Sequence, residues 1–192
     1  MAIMLQICSQ LEIIYHRLEG MTQLNLNEER SLNFSQTKEA QILVECVEHH
    51  NYVYLFSERF NDIFSIVFGM QFIGSITNIC TLIYSLSTKN TFDDKFLAQG
   101  LVLLNILFQT FIYCIFGNEV MLKSLKVADV ISMIDWTMLR RQSKLGLIMI
   151  AMRARNPIII TGGSMIPMSL NTFVTILRTS YTSYNLLKSS RV

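Results

Sequence analysis

Two uncharged runs constrain this chain more than any other feature. Residues 63–88 read IFSIVFGMQFIGSITNICTLIYSLST and residues 96–118 read FLAQGLVLLNILFQTFIYCIFGN, without one Asp, Glu, Lys or Arg. About 20 apolar residues carry a helix across the hydrocarbon core, so each run can span with some tilt. A third stretch, 156–187, is more polar and holds one charge, Arg178. A polar helix in a membrane faces protein or a water-filled path rather than lipid. Only 16% of the residues are charged, against roughly 25% in soluble domains, and the mean hydropathy is +0.38. These values exclude disorder. Four cysteines in 192 residues exclude a disulfide scaffold. A net charge of +2 carries no nucleic-acid signature. The expected fold is an all-α integral membrane protein, a bundle of three transmembrane helices with cytoplasmic helices attached.

Three spans put the termini on opposite sides, and Lys and Arg select the orientation. Segment 119–155 holds Lys123, Lys126, Arg140, Arg141, Lys144, Arg153 and Arg155. The 88–95 loop holds only Lys89 and Lys95, beside Asp93 and Asp94. The 119–155 segment is therefore expected in the cytoplasm, with the N-terminus inside and the C-terminus outside. This topology places the sequon Asn33-Phe34-Ser35 in the cytosol, beyond glycosylation. The opening MAIMLQICSQLEIIYHRLEG lacks the basic start and cleavage site of a signal peptide. Its apolar stretch stops at Glu12, too short to span, and reads as the end of a longer helix.

From Thr37 the pattern turns helical. Ile42, Leu43, Cys46, Tyr52, Val53, Phe56 and Phe60 recur every three to four residues, so one helix is expected to run into the first span. Polar residues 25–35 are expected to form a loop. Residues 128–153 read as an amphipathic helix ended by Pro157, and Gly162, Gly163 and Pro167 predict a break before the last span. Its unmatched apolar stripe points to an assembly.

The C-terminal half holds an ordered set: Tyr113-Cys114, Gly117, Ser124, Trp136, Arg140-Arg141, Pro157, Gly162, Ser169-Leu170-Asn171-Thr172-Phe173 and Ile176-Leu177-Arg178-Thr179-Ser180-Tyr181. In these residues and their spacing it resembles the insect odorant receptor family. Upstream, Cys46, His49 and His50 precede a span containing Cys80, as in the family's preceding segment. The last helix lacks the TYxxxxxQF ending of the related gustatory receptors. The resemblance covers nearly the whole chain and implies the C-terminal part of a seven-helix receptor fold with a cytoplasmic N-terminus. It implies a plasma-membrane subunit that binds small apolar odorants and gates a non-selective cation channel, assembled as a heterotetramer with a shared co-receptor. In family terms 1–61 holds the cytoplasmic end of the fourth span, a loop and the cytoplasmic part of the fifth helix. Residues 62–125 hold the fifth and sixth transmembrane helices. Residues 126–192 hold a cytoplasmic anchor helix and the pore-forming helix. Spans one to three and most of the fourth are expected to be absent, so the chain is also read as a truncated product.

On the last helix Thr179, Thr182, Ser183, Leu186, Ser189 and Ser190 share one side at helical spacing. In a tetramer that side is expected to line the pore, and alignment with the family puts Leu186, Ser189 and Ser190 near the outer gate. Leucines gate by dewetting, and hydroxyls hydrate a cation. The competing reading has these hydroxyls bonded back to helix carbonyls. For the odorant pocket the candidates are Phe72, Ile76, Ile79 and Ile83 on the fifth span, with Leu101, Leu104, Asn105 and Phe108 on the sixth. Plain helix packing competes for each.

No metal site is expected. His49 and His50 point to different sides of a helix, and no third ligand follows at ligand spacing. No cofactor is expected, and no phosphate loop, G-x-S-x-G or H-E-x-x-H suggests an enzyme. The alternative function is a non-conducting truncated receptor or membrane assembly subunit.

Overall fold

The computed structural model describes residues 1–27, 32–87, 94–134, 136 and 141–189. Five helices account for most of them: α1 (Ala2–Asn27), α2 (Leu32–Ser87), α3 (Asp94–Met133), α4 (Arg141–Ala154) and α5 (Leu170–Ser189). A two-stranded antiparallel hairpin joins α4 to α5, with β1 (Thr161–Gly162) paired to β2 (Ile166–Pro167). Among the described residues two helices, within α2 and α3, are long and apolar enough to cross a membrane. At about 1.5 Å per residue, the 56 residues of α2 extend about 84 Å, far beyond a hydrocarbon core of about 30 Å. The first span thus continues as a helix outside the bilayer, as its periodicity predicts.

The chain divides into two compact units. The first comprises Met1–Phe60 and Glu119–Ile159. Its core is a set of stripes at spacings of three and four. Met4, Ile7, Leu11, Ile14 and Leu18 come from α1, and Leu43, Cys46, Val53 and Phe60 from α2. Val120, Val127, Ile131 and Ile134 come from α3 and its end, and Leu147, Ile150 and Ala154 from α4. Such stripes bury one side of each helix against its neighbours. At Gly146 the approach is close: a Cβ there would lie 2.7 Å from Leu43 Cδ2. On the rim Lys123 Nζ meets Glu12 Oε1 at 2.8 Å, holding the Glu12 carboxyl below the usual range.

The second unit comprises Asn61–Asn118 and Ile160–Val192. Phe68, Phe72, Ile79, Cys114, Ile160, Met168 and Ile176 are buried in it. Phe68 packs on Tyr113 and Phe111 on Phe173, with ring centroids 5.9 and 5.2 Å apart. Polar pairs fix the register of α2 against α3: Thr110 Oγ1 donates to Ser75 Oγ at 3.1 Å, and Gln99 Nε2 to Ser85 Oγ at 3.1 Å. Ile63, Ile66, Val67, Met70 and Ile73 on α2 remain exposed. So do Leu97, Leu101, Leu104 and Phe108 on α3. Apolar surface on this scale is stable only against lipid or another chain.

Three local expectations are corrected. Of the loop expected over 25–35, residues 25–27 belong to α1 and 32–35 to α2, while 28–31 lie outside the described residues. No Gly or Pro between residues 21 and 35 stops either helix. The amphipathic helix expected over 128–153 is two helices, with 128–133 belonging to α3 and α4 beginning at Arg141. Extending the stripe of α3 past Ile134 would carry Arg141 and Leu145, both exposed, onto the buried side. The break resets the register so that Ser143, Leu147, Ile150 and Ala154 are buried instead. The last helix, whose membrane half the resemblance places at about 162–187, starts at Leu170, because the hairpin occupies the Gly-Gly and Pro positions. Arg140 and the Lys89–Asp93–Asp94 loop charges, apart from the backbone of Asp94, lie outside the described residues.

Candidate functional site

The site is built from the hairpin upward. Gly163 and Ser164 adopt positive φ, +64° and +60°. Glycine does so freely, but a serine needs support. Ser65 on α2 supplies it: its Oγ accepts the Ser164 N–H at 2.7 Å, and its carbonyl accepts the Gly163 N–H at 2.6 Å. Asn61, one turn earlier, accepts the Thr161 N–H at 2.7 Å through Oδ1. A Cβ on Gly69 would come within 2.8 Å of the Gly163 nitrogen, and one on Gly162 within 2.9 Å of the Phe72 ring. Irregular backbone at membrane depth survives only when its polar groups are met by protein. In the first unit the segment after α4 is held similarly. Ser124 Oγ accepts the Ile158 N–H at 3.0 Å, and Tyr54 donates its hydroxyl to the Asn156 carbonyl at 2.8 Å.

From this base α5 rises. Ser169 caps it, its Oγ accepting the Thr172 N–H at 3.3 Å. Thr172, Ile176 and Ser180 form its buried stripe. The side next to this stripe is open, as is the side opposite it, which carries Val174, Leu177 and Tyr181. On the adjoining side Thr175, Arg178, Thr179, Thr182, Leu186 and Ser189 are exposed, and Ser183 lies at the edge, half-buried. Thr179 and Thr182 donate their hydroxyls to the carbonyls of Thr175 and Arg178, each at 2.9 Å. Their oxygen lone pairs stay on the open side. Ser190 lies outside the described residues.

The pocket candidates divide. Phe72 and Ile79 are buried, and Ile76 and Ile83 are half-buried. Leu101, Leu104, Asn105 and Phe108 occupy the exposed side of α3, whereas Thr110 and Cys114 face the interior of the unit. Within the chain, therefore, the α3 candidates are not brought against the α2 candidates. In the first unit an open cleft of about 170 Å³ is lined by Gln6, Ile7, Gln10, Tyr52, Val53 and Phe56. His49 and His50 meet different partners. His49 meets Gln10 Oε1 at 2.7 Å, while His50 is buried against Tyr54 with Nε2 unpartnered. Burial, with Arg153 and then His49 adding positive charge, lowers the His50 pKa to about 4.

The sequence reading missed Asn61, Ser65 and Gly69. Their signal is a run of small or polar residues at one-turn spacing, 61, 65 and 69, at the start of an apolar span.

Long helices with extensive exposed apolar surface, a polar final helix and a clasped hairpin fit a helical membrane protein. The 7tm Odorant receptor family matches residues 1–181, and the chain belongs to that family. It is 28% identical over 146 residues to Odorant receptor Or2 of Anopheles gambiae, covering 76% of this chain and 38% of that protein. It is 24% identical over 185 residues to Odorant receptor 67c of Drosophila melanogaster, covering 96% and 43%. The fold is similar to that of the insect olfactory receptor OR5 of Machilis hrabei in complex with eugenol, with a TM-score of 0.72. That comparison has 19% identity and covers 95% of this chain and 46% of that one. The chain thus spans about two fifths of the length of the relatives it matches.

Proposed function

We propose that this chain supplies part of an odorant-gated, non-selective cation channel in the plasma membrane of olfactory sensory neurons. It acts with a shared co-receptor in a heterotetramer, with its N-terminus in the cytoplasm and its C-terminus outside. The observation that carries the reading is the two-sidedness of α5. One side is sealed into its own unit, while the adjoining side presents Thr179, Thr182, Leu186 and Ser189 with no cover. Hydroxyls and an arginine are poor lipid-facing groups, so this side suits a water-filled path shared with other subunits. Leu186, with Ser183 and Ser189 around it, closes the path by dewetting.

Odorant binding shifts the population toward the open state, which requires tighter binding there than in the closed state. The ligands are small and apolar. Eugenol, bound by the structurally similar receptor, is of that class. Phe72, Ile76, Ile79 and Ile83 of the fifth span are proposed to contribute one apolar wall, and Leu101, Leu104, Asn105 and Phe108 of the sixth, which do not meet them within the chain, contribute a wall only against a further segment of the receptor.

A second reading has an observation of its own. Thr179 and Thr182 already have their hydrogens bonded to helix carbonyls, as in a purely structural helix of an assembly subunit. Leu186→Ala and Ser189→Leu separate the two. In a channel they change conductance or resting current, and in an assembly subunit they change only surface abundance. Whole-cell recording with the co-receptor tests the main reading. An odorant panel should evoke a current reversing near 0 mV. Surface-expressed protein giving no odorant-dependent current would contradict it.

A further inference from the structure

We propose that Arg178 sets the balance between divalent and monovalent cations in this conduction path, by placing a fixed positive charge on its wall. The inference rests on reading the exposed side of α5 as channel lining.

Between Leu170 and Ser189, α5 carries two charged residues, Arg178 and Lys188, and no Asp or Glu. At 3.6 residues per turn each position is rotated by about 100°. Thr175, Arg178, Thr179, Thr182, Leu186 and Ser189 then fall within an arc of about 100°. Lys188 is rotated about 140° from Thr175, onto another side. Arg178 is therefore the single charge on the hydroxyl-bearing side among the described residues of α5. It is exposed, and its guanidinium has no hydrogen bond or ion pair among the described residues. Its carbonyl is already engaged by Thr182, so the backbone there is fixed while the side chain is free.

An unpaired guanidinium is strongly disfavoured against hydrocarbon. On this helix side it belongs in water, about two turns or 12 Å below Leu186. Coulomb repulsion doubles for a divalent ion. In a water-filled path, one such charge about 8 Å from the ion biases monovalent over divalent passage about twofold, less where salt screens it. Arg178 thus leaves the path cation-conducting while restraining calcium entry.

The test is the reversal potential under calcium and sodium gradients, with the chain expressed alongside the co-receptor in oocytes. Arg178→Gln should raise the calcium-to-sodium permeability ratio about twofold, and Arg178→Lys should leave it unchanged. A parallel variant, Arg178→Cys, should recover the original ratio with a cationic methanethiosulfonate and keep the raised ratio with a neutral one. Thr182→Cys, one turn away, reports on the channel-lining reading itself. If a cationic reagent blocks Thr182→Cys but Arg178→Gln and both treated forms of Arg178→Cys share the original ratio, the role of Arg178 is overturned and the lining stands. If Thr182→Cys is not blocked, the lining fails and the role of Arg178 fails with it.

Discussion

The Ser65 hydroxyl oxygen accepts the backbone N–H of Ser164 at 2.7 Å, across 99 residues of sequence. That bond, with the Ser65 carbonyl on Gly163, ties the hairpin below α5 to the first residues of a membrane span. The position and start of α5 follow from it.

Removing the acceptor tests this. Ser65→Ala removes only the hydroxyl and leaves the Ser164 N–H unmet in a part-buried site, which costs about 1–3 kcal/mol. Thermal unfolding of the detergent-solubilised protein should show a lower Tm for Ser65→Ala. An unchanged Tm would mean that the clasp contributes nothing.

The close approach beneath it makes a steric prediction. A methyl on Gly69 would sit 2.8 Å from the Gly163 nitrogen, whereas one on Gly74 would meet nothing within 4 Å. Gly69→Ala should destabilise by about 1–3 kcal/mol through forced backbone movement. Gly74→Ala should be neutral or stabilising by up to about 1 kcal/mol, because alanine is the better helix former. Equal effects of the two changes on Tm would contradict the packing described.

His50 gives the first unit a dependence on pH. Its folded pKa, about 4, lies below the ordinary 6.5, so the folded state favours the neutral ring. Stability is then full above about pH 6.5 and is lost as the pH falls toward 4, by about 3 kcal/mol from this group. Replacing it with the uncharged His50→Phe should flatten the fall in Tm over that window. An identical pH profile in the variant would show that His50 is not the group responsible.

Much of the architecture was legible in the sequence because burial there is periodic. Leu43, Cys46, Val53 and Phe60 announce a helix leading into the first span, and two uncharged runs announce the spans. The open side of α5 was legible from Thr179, Thr182 and Leu186 for the same reason. What was hidden depends on distant partners. Ser65 and Asn61 look like ordinary polar interruptions until residues 161–164 return to them. The break after Ile134 carries no Gly or Pro, and arises because a continuous helix would bury Arg141. The outward placement of Leu101, Leu104 and Phe108 on α3 was also not legible, since both sides of that helix are apolar and only packing chooses between them.

Cysteine scanning along α5 tests the central claim most directly. Positions 175, 176, 179, 180, 182 and 186 are each changed to cysteine, expressed with the co-receptor, and exposed to a cationic methanethiosulfonate during odorant-evoked current. Block is predicted at Thr175, Thr179, Thr182 and Leu186 and absent at Ile176 and Ser180. Block at Ile176 and Ser180 with none at Thr179 and Thr182 would contradict the account, as would odorant-evoked current untouched by the reagent at every position.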